Sequence, residues 1–275
     1  VGLNDNGEEQ SGMGVGIGDF RLSGHLDLLK THFVEDTCEL FQNDGKANFT
    51  DATLSSRIGI ETSYICWGAG IVDLDNDGYP DIFIVTGGVY PEVEQRFPRY
   101  PDKCPRVLFR NLGNGTFEEL GREAGPAIME RHSSRGCAFG DFDNDGDIDI
   151  LIVNMNEPPS LLRNDIRGTN HWMKVKLVGT QSNRSAIGAR VLVRYGGKVQ
   201  AQAVTSQSSF YSSNDKRLHF GLGSAIAADI DIFWPSGNVQ SLKNEPANRL
   251  ITVIEGKGVV LREEFAPKSV AGMNG

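Results

Sequence analysis

The chain has 275 residues, enough for two domains, and carries a net charge of −9 with a pI near 5.1. This acidity argues against nucleic acid as a partner, because the phosphate backbone is also negative. The sequence has no apolar run of about 18 residues and therefore predicts no membrane-spanning helix. Glycine is abundant, at 33 residues, which is typical of a turn-rich β protein.

Three segments share one plan and indicate an internal repeat. They are GVGIGDFRLSGHLDLLKTHF (14–33), GAGIVDLDNDGYPDIFIVTG (68–87) and CAFGDFDNDGDIDILIVNMN (137–156). In each, a glycine-rich apolar stretch leads to an aspartate, a polar loop, a second aspartate and an apolar run. A second marker follows in every copy: LFQND (40–44), LFRNL (108–112) and LLRND (161–165). Each unit thus offers about three or four short strands, the size of a propeller blade.

Glycines occupy alternate positions just before and at the start of the first repeat: Gly12, Gly14, Gly16 and Gly18. Their spacing superficially resembles a dinucleotide-binding fingerprint, which requires a helix directly after the glycines. Here an aspartate loop and another strand pattern follow. We expect the glycines to allow neighbouring strands to approach closely, as at the crowded axis of a propeller.

Two loops carry the chemistry, with aspartate at positions 1, 3, 5 and 9 and glycine at position 6. Their acidic residues are Asp73, Asp75, Asp77 and Asp81 in loop 73–81, and Asp141, Asp143, Asp145 and Asp149 in loop 141–149. Carboxylates at this spacing converge when glycine allows a sharp turn. Position 7, Tyr79 or Asp147, can add a backbone carbonyl, and we expect the Asp147 side chain to remain in solvent. An all-oxygen shell of this kind predicts Ca²⁺.

Other interpretations of these loops are weaker. An EF-hand starts with the same spacing, but it needs a glutamate at position 12, where the chain has Ile84 and Ile152. Plain hairpin turns explain the Asn-Asp-Gly stretches but need no convergent carboxylates. Loop 19–27 is a degenerate copy with Arg21 and Ser23 at positions 3 and 5, so we expect it to hold no calcium.

The acidic loops and GVYPEVE (88–94) resemble the FG-GAP (VCBS-like) repeats of integrin-type propellers. NHWMKVKLVGTQSNRSAIGARVLV (170–193), SNDKRLHFGLG (213–223) and IFWPSGNVQSL (232–242) resemble a C-terminal ASPIC/UnbV domain. The resemblance implies an all-β fold: a partial β-propeller over 1–166 and a small β-sandwich-like UnbV domain over 170–262. Residues 263–275 are expected to form a tail. Because three repeats are too few to close a ring, further N-terminal blades are expected.

The C-terminal part also has its own β pattern. Met173, Val175 and Leu177 alternate with Lys174 and Lys176, which predicts one buried and one solvent-facing side of a strand. For Cys38 and Cys104, two alternatives remain: a disulfide between them, or two buried thiols.

The sequence offers no nucleophile elbow and no H-E-x-x-H motif, and His219 is expected to be a structural hydrogen-bonding residue. The resemblance favours a non-catalytic, calcium-binding extracellular adhesion or interaction module with a protein or glycan partner. Such a protein would be secreted, or periplasmic or cell-surface in a bacterium. The alternative is the scaffold or carbohydrate-binding part of a secreted hydrolytic protein. The Pro-rich insertion 87–105 is a candidate recognition element.

Overall fold

The computed structural model describes residue 7 and residues 9–59, 63–166 and 168–265. Within these residues the chain is all-β, as predicted, and its strands form five sheets. Three consecutive sheets form the blades of a partial β-propeller, and two further sheets form a β-sandwich. Most of the predicted tail 263–275 lies outside the described residues.

Each blade is a sheet of consecutive antiparallel strands. Blade 1 contains β1 (Val15–Gly18), β2 (Asp27–Lys30), β3 (Glu39–Asn43) and β4 (Phe49–Asp51). Blade 2 contains β5 (Cys66–Val72), β6 (Asp81–Thr86), β7 (Val107–Asn111) and β8 (Phe117–Leu120). Blade 3 contains β9 (Ser134–Gly140), β10 (Asp149–Asn154) and β11 (Ser160–Leu162). In every blade the acidic loop joins the first two strands, so the repeat places the three loops equivalently.

Three short α-helices lie outside the sheets: α1 (Thr53–Ser56), α2 (Pro91–Arg96) and α3 (Pro126–Met129). Helix α2 belongs to the 87–105 insertion, where proline favours the first turn of a helix over strand pairing. Tyr90 and Phe97 flank α2 and are exposed. The recognition role of this insertion stays a prediction. No helix of the described ranges is both long and apolar enough to cross a membrane.

The glycines of the first strands allow close packing between blades, which confirms the prediction made from their spacing. A Cβ atom on Gly16 of β1 would lie 3.3 Å from Cα of Gly70 on β5. A Cβ atom on Gly70 would in turn lie 2.3 Å from the Phe139 ring on β9. The first strands of the three blades therefore pack directly against one another.

Apolar clusters join the blades in pairs. Leu29 of blade 1 packs with Ile71 and Ile82 of blade 2, and Phe83 of blade 2 packs with Phe139 of blade 3. The four cysteines, all in described parts of the chain, are buried thiols rather than disulfide partners. Cys38 and Cys104 are therefore not joined.

The two sheets of the sandwich follow the blades. The first, in the order β15-β12-β18-β19, contains β12 (His171–Val178), β15 (Leu218–Gly223), β18 (Arg249–Ile254) and β19 (Gly258–Glu264). The second, in the order β14-β13-β16-β17, contains β13 (Arg190–Tyr195), β14 (Lys198–Ala203), β16 (Ala227–Phe233) and β17 (Val239–Pro246). Met173, Val191, Ile230 and Ile232 belong to their shared, fully buried core.

The sandwich packs against the blades on the side of the acidic loops and along the first strands. The segment 204–217 crosses these strands: Ser209 pairs with Val15, and the backbone N–H of Asp215 donates to the carbonyl of Phe139. This packing has one consequence that the strand pattern did not predict. Lys174, expected in solvent, is fully buried because the other side of β12 faces an acidic loop.

Candidate metal centre

Loop 73–81 is curled so that its first and last aspartates face each other. Asn76 and Gly78 have φ values of +58° and +90°, and the backbone N–H of Gly78 donates to Oδ2 of Asp73 at 2.8 Å. Asp81, the first residue of β6, accepts the N–H of Leu74 at 3.1 Å. Glycine tolerates the left-handed backbone that this turn requires.

The curl brings three carboxylates of this loop together. Asp73, Asp75 and Asp81 each offer an oxygen within 4.8 Å of the others. Asp73 and Asp81 are buried, and burial together with neighbouring aspartate charges raises the pKa of both carboxyls well above the usual range. Two negative charges, on Asp73 and Asp81, would thus lie close together in a buried place, and this is unfavourable unless a cation compensates them.

One atom shows that the loop fits a cation. Oδ1 of Asp73 is buried and has no hydrogen-bond donor, although Asp73 is only 4% exposed. A buried carboxylate oxygen without a partner is costly, and a hard cation satisfies it. The donor set consists of carboxylate oxygens, which hard cations such as Ca²⁺ and Mg²⁺ prefer, and it contains neither the thiolate nor the imidazole typical of zinc sites.

Loop 141–149 repeats the geometry. Asp141, Asp143 and Asp149 have oxygens within 4.8 Å of one another, and the N–H of Gly146 donates to Oδ2 of Asp141 at 3.0 Å. Burial raises the pKa of Asp149 to about 6. This loop differs from the first because Nζ of Lys174, on β12, lies 2.8 Å from Oδ2 of Asp141. Both side chains of that ion pair are fully buried.

Loop 19–27 keeps the curl but contains its own cation. Nη2 of Arg21 lies 3.0 Å from Oδ1 of Asp27, at position 9. The oxygens of Asp19 accept backbone N–H bonds from Ser23, Gly24 and, across the interface with the sandwich, Ala201. The arginine at position 3 thus supplies positive charge inside the loop.

The aspartate at position 5 of each complete loop makes a backbone contact that the sequence analysis did not predict, and its role as a ligand stays a prediction. Asp77 and Asp145 are outside the two convergent groups, and their Oδ1 atoms accept the N–H of Tyr79 and Asp147 at 2.7 and 3.0 Å. These are Asx turns, which hold the loop curled. The prediction of a solvent-facing Asp147 side chain is wrong: it is buried and accepts a bond from Nδ2 of Asn76 at 2.8 Å.

The second marker of each repeat holds the ninth residue of its loop, a role that the sequence analysis missed. Backbone N–H groups of Asn43, Asn111 and Asn164 donate to Oδ1 of the position-9 aspartates at 2.8, 2.9 and 2.8 Å, respectively. The side-chain amide of Asn164 also reaches back to the carbonyl of Leu74 in blade 2. The recurrence of asparagine in all three markers was the available signal.

Residues of the sandwich cover the loops from outside. His219 is buried, and its Nε2 lies 2.6 Å from Oδ1 of Asn76, as expected for a structural hydrogen-bonding residue. Burial and then the charge of Lys174 lower the His219 pKa well below its ordinary range. The hydroxyl of Tyr195 donates to the carbonyl of Gly78 at 3.0 Å. Loop 73–81 is therefore enclosed between the blades and the sandwich, whereas Asp143 of loop 141–149 is exposed.

Comparisons with known proteins agree with this architecture. A family model described as FG-GAP-like repeat matches residues 19–84 and 105–186, which is more than half of the chain. The chain belongs to the FG-GAP-like repeat family. A second model, described as ASPIC and UnbV, matches residues 179–260, within the region that we predicted from 170 to 262.

Curated relatives share the name cartilage acidic protein 1. The chain is 26% identical to the protein of Homo sapiens over 265 residues, covering 93% of this chain and 37% of the relative. It is 25% identical to that of Mus musculus over 266 residues, covering 92% and 38%, respectively. The Xenopus tropicalis protein is 27% identical over 241 residues, covering 84% and 34%. The chain thus spans little more than a third of the length of these relatives.

Proposed function

We propose that this FG-GAP-like chain is a non-catalytic, calcium-binding interaction module that works outside the cell. The observation that carries the proposal is the buried, partnerless Oδ1 of Asp73 beside two further carboxylates. Millimolar calcium outside cells suits multi-carboxylate sites of modest affinity. The name of the relatives, cartilage acidic protein, fits an extracellular setting.

In this proposal the two complete loops each hold one ion. Carboxylates of Asp73, Asp75 and Asp81 would bind it in blade 2, with Asp77 and the Tyr79 carbonyl available to complete the shell. In blade 3 the carboxylates of Asp141, Asp143 and Asp149 would bind the ion, with Asp145 and the Asp147 carbonyl available to complete the shell. The bound ion would supply positive charge to the two groups of carboxylates that face one another.

The proposed interaction face is the outer side of blade 3. Leu29 in blade 1 and Phe83 in blade 2 occupy the same repeat position, two residues after the ninth loop residue, and both are 0% exposed against the next blade. The equivalent Leu151 in blade 3 is 47% exposed, and Val153 on the same side is 55% exposed. This face has the chemistry of an interblade contact.

The occupant that suits this face is a further FG-GAP-like blade. Leu161 lies opposite Leu151 in the register of β10 and β11 and extends the apolar surface, with Phe142 beside it in the same groove. Apolar side chains spread over a sheet match another sheet better than the hydroxyl-rich surface of a glycan. The protein partner in this proposal is therefore blade-like.

Thermal unfolding with and without calcium tests the calcium component. A ligand at about 100 times its dissociation constant stabilises a protein by roughly 2.7 kcal/mol per site. We expect calcium to raise the melting temperature relative to chelator at matched ionic strength, and magnesium to do so less because it demands a rigid octahedral shell. Identical melting curves in calcium and chelator would refute the proposal.

A further inference from the structure

The sandwich presents unlike groups to the first aspartates of the two complete loops. Beside Asp73 it places Gly221 of β15, where a Cβ atom would lie 1.9 Å from Oδ2 of that aspartate. Beside Asp141 it places the ammonium group of Lys174, 2.8 Å from Oδ2. Each loop also meets one further sandwich cation at a backbone carbonyl, with Nζ of Lys198 3.5 Å from the Asp77 oxygen and Nη2 of Arg217 2.9 Å from the Asp141 oxygen. The covers therefore differ in the group beside the first aspartate carboxylate, where only loop 141–149 has a cation.

We propose that Lys174 is an affinity-determining residue that keeps calcium binding in loop 141–149 weaker than in loop 73–81. The inference rests on the proposed calcium binding in both loops. A fixed cation next to a ligand carboxylate repels an incoming Ca²⁺ and competes for that carboxylate's charge. Because Lys174 and Asp141 are fully buried, solvent and salt screen this repulsion little.

The hydrogen bonds of Asp73 and Asp141 also favour tighter calcium binding in loop 73–81. Oδ1 of Asp141 accepts the N–H of Asp145 at 3.1 Å, and its Oδ2 accepts the N–H of Gly146 besides the lysine. Asp73 receives the N–H of Gly78 on Oδ2, whereas its Oδ1 has no donor. Asp73 therefore offers an uncommitted oxygen to an ion, and Asp141 does not.

The lysine also changes what happens without calcium. Its ion pair compensates Asp141 in the absence of the ion, so the contact between β12 and blade 3 does not depend on metal. Loop 73–81 has no such substitute from β15, since Gly221 brings no side chain. The two sites should consequently fill in order, first loop 73–81 and then loop 141–149.

Calcium titration calorimetry on the whole chain tests the role of Lys174. The parent should show two binding events of unequal affinity. Lys174→Met keeps the buried stem but removes the charge, and it should raise the weaker affinity by at least about tenfold. Lys176→Met, two residues along β12 on an exposed side chain, is the matched control and should leave both events unchanged.

Two further variants retain Lys174 and assign each calcium-binding event to a loop. They test the inference even if Lys174→Met does not fold. Asp75→Asn should abolish the tight event, and Asp143→Asn the weak one. Equal affinities in the parent, the reverse assignment, or a Lys174→Met protein with the parent's weaker affinity would overturn the inference. A parent without any calcium binding would instead refute the proposed function itself.

Discussion

Loops 19–27 and 73–81 share one backbone plan but handle buried negative charge in opposite ways. Both turn at a glycine with positive φ, +78° at Gly24 and +90° at Gly78. In loop 19–27 the residue at position 3 is Arg21, and its guanidinium group pairs with Asp27. In loop 73–81 that position is Asp75, which adds a carboxylate to the cluster.

If the complete loops bind calcium as proposed, the difference explains how a repeat can lack a metal site and keep its fold. An arginine two residues after the first aspartate replaces the diffusible cation by one that is covalently attached. The curl itself survives because it depends on N–H bonds to the first aspartate: Ser23 and Gly24 donate to Asp19 as Gly78 donates to Asp73. We therefore expect only the complete loops to make stability calcium-dependent.

The largest effect should come from Asp73→Asn. The amide keeps an acceptor for the Gly78 N–H but removes a negative charge from the cluster, so calcium no longer binds tightly. In saturating calcium we expect the free energy of unfolding to fall by about 3 kcal/mol. In chelator the same variant should equal or exceed the parent, because a buried like charge has been removed.

Chemical denaturation in both buffers measures this, with Asp165→Asn, at an exposed position, as the control. An Asp73→Asn protein that loses the same stability in calcium and in chelator would mean that the aspartate is structural only.

A smaller effect is expected for Arg21→Ser, which removes the internal cation of loop 19–27. Asp27 is fully buried and would lose its charged hydrogen-bond donor, which costs about 2 kcal/mol. Part of this loss should return in calcium, because the loop then resembles an uncompensated site. Unfolding curves in calcium and in chelator measure this, with Arg163→Ser, which breaks an exposed ion pair, as the control. A loss of stability that is equal in calcium and in chelator would contradict the prediction.

The double variant Leu151→Glu, Val153→Glu concerns the outer side of blade 3 and should change stability by only about 0.5 kcal/mol. The free energy of unfolding is nearly unaffected since both side chains are exposed in this chain. The variant should reduce the binding of an apolar dye, whereas Leu54→Glu, on exposed α1, should not. Equal dye binding by both variants would exclude this face as the apolar contact.

An effect confined to acid pH is expected at Glu255, a carboxylate that needs no cation. Burial raises its pKa, but hydroxyl and N–H donors from Ser236, Ser182 and Thr180 outweigh it and lower the pKa to about 2. Because the folded pKa lies below the unfolded value, this contribution to stability is complete above about pH 4.5 and declines toward pH 2.

Melting temperatures of the parent and of Glu255→Gln should therefore differ by a constant amount from pH 7 to 5. The difference should narrow below that range, equally with and without calcium. A difference that depends on calcium would show that Glu255 is coupled to the loops.

Much of the blade architecture was predictable because it follows from local rules. The repeat, the loops between the first two strands and the close packing at Gly16 and Gly70 all depend on residues near in sequence. The convergence of positions 1, 3 and 9 also follows from the curl. Asp77 at position 5 lies outside the convergent group, although Asp73 and Asp75 within it also accept N–H bonds from the same loop, so these bonds alone do not decide which side chains converge.

The cover of the loops could not be predicted, because it is made by residues about thirty or more positions away in sequence. Strand alternation placed Lys174 in solvent, yet that side of β12 meets Asp141 of blade 3. Asp147 was missed for the same reason, since its partner Asn76 belongs to another blade. Strand alternation identifies the apolar and the polar side of a strand. It does not show whether the polar side faces solvent or a charged group of another element.

An anomalous difference map from crystals grown in millimolar calcium tests the central claim most directly, because it locates ions without reference to stability. We predict the strongest peak among Asp73, Asp75 and Asp81, a weaker one beside Asp141, and none between Asp19 and Asp27. A calcium peak in loop 19–27, or no peak at the Asp73 cluster, would contradict the account.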